Sequence, residues 1–170
     1  MLVVGHSKED GGAENSQGMN EYTFNKDIVM EIVRKDDFKG VDIIPKFRVS
    51  SRTNLPKEIN EINPDIVISL HCNAYNASAQ GTEVLYAEGS TKGKKYAEIL
   101  QNNLVDWLHL PDRGLKSKSS GDRGGHLLWN TKAPCVIIEP LFIDAMTNDE
   151  LEDAKNEIIE AVMESIWEML

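Results

Sequence analysis

The chain has 170 residues and carries 18 Lys and Arg against 28 Asp and Glu, a formal net charge of −10. The length suits one domain whose core needs no staple, and the charge argues against nucleic acid or an anionic membrane surface as an electrostatic partner. Hydrophobic residues make up 41% and charged residues 27%, a globular composition. No apolar run approaches a membrane span of about 18 residues, and the first residues lack the basic and then apolar regions of a signal peptide.

In chain order, residues 1–5 predict a short strand. A polar, glycine-containing loop follows over 6–19, long enough to suggest a functional loop. Asn20 is the N-cap expected for a helix over about 21–36, in which Phe24, Ile28 and Ile32 recur every four residues and Val29 and Val33 widen the stripe. Glu21 falls on that same inward face, where an acid is unusual; the helix N-terminus alone would favour it. Val41 to Ile44 predict a second strand, and a helix is expected over about 55–63, opened by Pro56 and stopped before Pro64. Residues 66–71 read as a buried strand that delivers His71 into a polar run, and Thr82 to Tyr86 as another strand.

A helix over about 91–109 carries Tyr96, Leu100, Leu104 and Leu108 on its stripe, with Ile99 and Trp107 beside it. Residues 110–125 are rich in glycine, serine and basic residues and read as a mobile loop. Leu127 to Trp129 suggest a short strand and Val136 to Glu139 a last one. The final helix is expected over about 149–168, capped by Thr147 or Asn148, with Leu151, Ala154, Ile158, Val162, Ile166 and Met169 inward. Strands alternate with helices, which predicts an α/β class. The expectation is a single domain over 1–170 of phosphorylase/hydrolase-like kind, a mostly parallel twisted sheet flanked by helices, with no appended binding module and a monomeric state.

The two cysteines, Cys72 and Cys135, sit on or beside apolar strands without metal-type spacing and read as small buried hydrophobes. Three apolar runs end in functional side chains instead: Leu2–Gly5 at His6, Ile66–Leu70 at His71, and Val136–Ile138 at Glu139. In an open α/β sheet, ligands and chemistry collect beyond the carboxyl ends of the strands. His6, Glu21 and His71 supply two histidines and a carboxylate, the donor set of a catalytic zinc that keeps one position for water. Such a metal acidifies water and polarises a carbonyl. Glu139, not a ligand, is the candidate to move the proton, since a lone carboxylate at the end of an apolar strand is costly without a task or a partner. There is no HExxH helix.

At these residues the sequence resembles the zinc-dependent N-acetylmuramoyl-L-alanine amidases of the Amidase_3 type, enzymes that cleave bacterial peptidoglycan. The family's strand into Gly-His is matched by Val4-Gly5-His6, and its glutamate at the start of the first helix by Asn20-Glu21-Tyr22. Its Ser-Leu-His-x-Asn-Ala motif is matched by residues 69–74, followed by Gly81-Thr82-Glu83-Val84. Its Leu-x-x-Thr-x-x-Pro-x-x-x-x-Glu run is matched from Leu128 to Glu139, with Phe142-Ile143 after it. Pro140-Leu141 replaces the glycine usual after the last glutamate, and Gly124–Leu127 replaces an apolar run.

The resemblance implies one Zn2+ per chain on His6, Glu21 and His71, Glu139 as the catalytic acid/base, and hydrolysis of the amide between the muramoyl lactyl group and L-alanine. Asn73, Arg113, Lys116 and His126 are the candidate substrate contacts; His126 could instead be structural, and Arg113 and Lys116 simply solvated. Without a signal peptide, the expected setting is synthesis in the cytoplasm and action on the wall after release, as for a phage endolysin. Three other readings stand beside it: a zinc peptidase or carboxypeptidase acting on stem peptides, a cysteine hydrolase using Cys72 or Cys135, and a wall-binding module that has lost catalysis.

Overall fold

The computed structural model describes residues 1–35 and 38–170. Six strands form one sheet: β1 (Leu2–Val4), β2 (Pro45–Lys46), β3 (Val67–Leu70), β4 (Thr82–Ala87), β5 (Asp112–Lys118) and β6 (Cys135–Glu139). Their spatial order is β2-β1-β3-β6-β4-β5. β2, β1, β3 and β6 run parallel, β4 runs antiparallel to β6, and β5 is parallel to β4. The helices are α1 (Glu21–Lys35), α2 (Leu55–Ile62), α3 (Thr91–Leu108), α4 (Gly125–Asn130) and α5 (Asn148–Met169), with a short 3-10 turn over Ile143–Ala145. The mostly parallel α/β architecture expected from the alternation is what forms.

Strand residues alternate between two apolar layers, as the two-residue period of a strand requires. Leu2, Val4, Ile68, Leu70, Val136 and Ile138 face one layer, which α1, α3 and α5 complete through Phe24, Ile28, Leu100, Leu104, Ile158 and Val162. Val3, Val67, Leu85, Cys135 and Ile137 face the other, which α2 and α4 cover with Leu55, Ile59 and Leu128. Because the central strands are covered on both sides, they read as continuous apolar runs. The helix ends follow the sequence: Asn20 Oδ1 accepts from Thr23 N at 2.9 Å, and Thr147 with Glu150 forms a capping box at the start of α5.

Four local expectations need correction or limits. The second strand is Pro45–Lys46 rather than Val41–Ile44. Only Ile44 touches the ladder, accepting from Leu2 N, and Pro45 is tolerated because β2 is an edge strand. Residues 110–125 are not one mobile loop, since β5 occupies Asp112–Lys118. Lysines and an arginine give that stretch poor strand propensity but suit an exposed edge, where charge blocks pairing with other chains. Leu127–Trp129 belong to α4, not to a strand; a three-residue apolar run carries no period to distinguish the two. The expected end of the first helix at residue 36 lies outside the described residues.

Candidate active site

Three chain segments deliver the first cluster. β1 ends at Val4 and the chain turns at His6, whose φ of +62° is uncommon for a residue with a side chain. β3 ends one residue before His71, and α1 begins at Glu21. The Glu21 carboxylate lies between the imidazoles, 3.3 Å from His6 Nε2 and 2.9 Å from His71 Nδ1. It also accepts from the backbone N–H groups of Ala13 and Cys72. One ligand atom from each of the three residues lies within 4.8 Å of the others. His6 Nδ1 is in turn 3.3 Å from Asp10, which Arg48 holds at 2.9 Å. A carboxylate on the outer nitrogen is how metal-binding histidines are commonly oriented.

The packing around this cluster depends on glycine. A Cβ on Gly12 would stand 2.7 Å from Glu21 Oε2 and 2.8 Å from His6 Cδ2, and one on Gly5 would stand 2.7 Å from His71 Cε1. The loop and the first strand therefore close on the three side chains only because both positions lack a side chain. Burial alone would raise the pKa of Glu21; hydrogen bonds from His6 and His71 outweigh it and hold the carboxyl well below the usual range. The reciprocal bond raises His6. A buried anion between two imidazoles, with the other nitrogen of one ring braced, fits the two-histidine, one-carboxylate donor set of a catalytic zinc. The cluster could hold such a metal.

Glu139 closes β6 and faces the α2/α4 layer, two residues after Ile137. It is buried, and desolvation pushes its carboxyl up to about 7, with Arg123 opposing and Glu83 adding to the rise. Arg123 Nη2 donates to Glu139 Oε1 at 2.5 Å. Glu83 is its register partner across β4 and β6. Both clusters line one cleft of about 580 Å3, floored by the α2/α4 face of the sheet.

The strand-end residues His6, His71 and Glu139 and the helix-start Glu21 are thus brought to one cleft. The four candidate substrate contacts fall elsewhere or at its edge. Asn73 Nδ2 donates to Glu83 Oε1 at 3.1 Å, and Arg113 Nε donates to Glu83 Oε2 at 2.8 Å while its guanidinium lies over the Phe142 ring. Lys116 Nζ donates to the Arg113 carbonyl and is 4.0 Å from Glu83. All three gather around Glu83 rather than on the cleft. His126, on α4, does line the cleft, with Nε2 3.2 Å from the Thr53 carbonyl.

Sequence reasoning missed Asp10, Glu83 and Arg123. An acid inside a strand was the available signal for Glu83. Asp10 and Arg123 lie in loops, where no period marks them. The cysteines are free and buried, and burial pushes both thiols up, Cys135 to about 12. That leaves the cysteine-hydrolase reading without a reactive thiolate.

Comparison with known proteins agrees with this architecture. The chain is 27% identical to the endolysin of Bacillus phage SPP1, over 99% of this chain and 65% of that one. It superimposes on the catalytic domain of CwlV, an N-acetylmuramoyl-L-alanine amidase from Bacillus (Paenibacillus) polymyxa var. colistinus, with a TM-score of 0.83, 22% identity and coverage of 98% and 94%. A likeness at that identity speaks for the fold. The catalytic domain of an endolysin targeting Clostridia difficile gives a TM-score of 0.77 at 26% identity, covering 98% and 95%. The chain spans between 16% and 68% of the length of the curated relatives it matches. Residues 1–168 match the family described as N-acetylmuramoyl-L-alanine amidase, and this chain belongs to it: Amidase_3.

Proposed function

We propose that the chain hydrolyses the amide bond between the lactyl group of N-acetylmuramic acid and L-alanine in bacterial peptidoglycan, with one zinc ion held by His6, Glu21 and His71. The observation that carries this reading is the meeting, in one cleft, of a compact His/Glu/His set and a separate buried glutamate pushed up to about 7. Zinc, when bound, supplies Lewis-acid polarisation of the scissile carbonyl and water acidified toward neutrality.

The chain's own residues do the rest. Glu139, titrating near neutral pH, takes a proton from the attacking water as a carboxylate and returns it to the departing amine as an acid. Water adds to the carbonyl carbon, the C–N bond breaks, and a lactyl carboxylate and the free amine of L-alanine leave. Arg123 holds one oxygen of Glu139, so the other can face the reacting atoms. Asp10 braces His6, and the apolar floor beside the site limits competing water. Residues 1–170 act as one catalytic unit and as a monomer, on the wall after release from the cytoplasm, in the manner of an endolysin.

Metal analysis with mass spectrometry of digested peptidoglycan tests this. The expected result is about one zinc per chain, glycan strands freed of peptide, and intact stem peptides beginning with L-alanine. Shortened stems would mean a peptidase instead.

A further inference from the structure

The molecule carries a net charge of −10, yet the cleft wall bears Arg48, Arg52 and Arg123. Their surroundings differ. Arg48 is engaged by Asp10 and by the His6 carbonyl, and its side chain is largely covered. Arg123 is 68% exposed and, among the described residues, its guanidinium makes one hydrogen bond, through Nη2 to Glu139, which leaves its other donors unpaired there. Arg52 is exposed and forms no ion pair among the described residues. The same cleft is floored by Val3, Leu85 and Ile137, packed in one apolar layer with Leu55 and Leu127, which also line it. Ser69 sits on the same floor, 1% exposed, and its hydroxyl has no hydrogen-bond partner among the described residues.

An apolar trough with one unsatisfied buried hydroxyl and two arginines with open donors is built for a ligand that is part apolar, part hydrogen-bonding and anionic. Resting on the amidase reading, the substrate offers one anionic portion. Its acyl side is a sugar bearing hydroxyl and acetamido groups, and the lactyl carboxyl is tied up in the scissile amide. The free carboxylates are on the peptide that leaves. An arginine fork matches a carboxylate bidentately, which a sugar hydroxyl cannot exploit.

We infer that Arg123 and Arg52 form a specificity site for an acidic stem peptide, binding a free carboxylate on the residues after L-alanine while the peptide lies across the Val3–Leu85–Ile137 floor. Arg123 grips Glu139 and the peptide with different nitrogens of one guanidinium. It thereby sets the position of the leaving amine relative to the group that protonates it. A peptide whose carboxylate is amidated loses the ionic part of that grip.

The test uses the full chain with zinc and two soluble substrates, N-acetylmuramoyl-L-alanyl-γ-D-glutamyl-L-lysinamide, whose D-glutamate α-carboxylate is its only carboxylate, and the same compound with that carboxylate amidated. The unmodified chain is expected to favour the acid by about tenfold or more in kcat/KM, the range of one charge-assisted contact. In Arg123→Gln and Arg52→Gln the ratio should fall to within about twofold, through a higher KM for the acid, and Arg→Lys should restore part of it. The ratio between substrates is the readout, because disturbance of Glu139 in the Arg123 variants slows both equally. A wild-type ratio near one, or a ratio unchanged in both variants, overturns the inference. If neither compound is cleaved, the amidase reading fails. Calorimetry with L-alanyl-γ-D-glutamyl-L-lysinamide and its α-amidated form then decides the site alone: the acid must bind more tightly, less so in high salt, and lose that advantage in Arg123→Gln.

Discussion

Glu21 and Glu139 are equally buried, each 3% exposed, and their carboxyls are driven in opposite directions. Glu21 starts a helix, meets two imidazoles and accepts two backbone N–H groups, so its charge is held firmly. Glu139 ends a strand, faces a second glutamate across the ladder, and has one exposed arginine as its counter-charge. Burial is common to both. The partners decide which carboxylate is a permanent anion, suited to a cation, and which can exchange a proton near neutral pH.

The sharpest way to break this comparison is to remove the charge from each side. Glu21→Gln should abolish activity and reduce bound zinc to a small fraction of one per chain, measured by metal analysis after dialysis. Glu139→Gln should keep zinc bound and lower kcat by about 10²–10⁴-fold, the range for loss of a general acid/base. Equal zinc loss in both variants would erase the distinction. A Glu139→Gln chain with full turnover would remove Glu139 from the chemistry.

A smaller effect is expected from Glu83→Gln. An amide there can donate to Glu139 rather than oppose its charge, so the carboxyl falls toward its ordinary range. The acidic limb of the kcat/KM profile should move to lower pH, with KM nearly unchanged. Arg113 and Asn73 would lose an anionic partner, at a modest cost in stability.

The smallest effect concerns stability without metal. Glu21 is depressed, so its contribution is complete above the ordinary carboxylate value near 4.5 and fades as pH falls. His6 is raised, so its contribution is complete below about 6.5 and fades as pH rises through its folded value. Glu139 is raised to about 7, so its contribution also fades, from 4.5 up to 7. The metal-free chain should therefore melt at a lower temperature at pH 8 than at pH 5.5. Zinc needs deprotonated ligands, so the increment in Tm on adding zinc should grow over the same interval. A metal-free chain that gains stability toward pH 8 would contradict the assignment of these carboxyls and His6.

The meeting of the candidate site residues was more legible in the sequence than the fold's edges were. His6, Glu21, His71 and Glu139 were legible because three sit at the ends of buried apolar runs and one on the inward face of a helix. Those patterns arise from burial itself. β5 and α4 were misread because their environment is an exposed edge and a short surface turn, where charge and glycine serve solubility and geometry more than propensity. Asn73, Arg113 and Lys116 were legible as functional types but not as a group. Their convergence on Glu83 depends on β4 lying between β6, to which it is antiparallel, and β5, to which it is parallel, and no local pattern records that pairing. Arg123 depends in the same way on a loop returning over the end of β6.

The two faces of the sheet are covered unequally: α1, α3 and α5 lie on one, and α2 and α4, of 8 and 6 residues, on the other. Sub-global openings follow the thinner cover, since few buried contacts must separate. Backbone amides of α2 and α4 should exchange with solvent through openings far less costly than global unfolding, while those of β3, β6 and α5 wait for the whole chain. The side of the sheet that carries the cleft can breathe on its own, and the helix that anchors Glu21 need not loosen when it does.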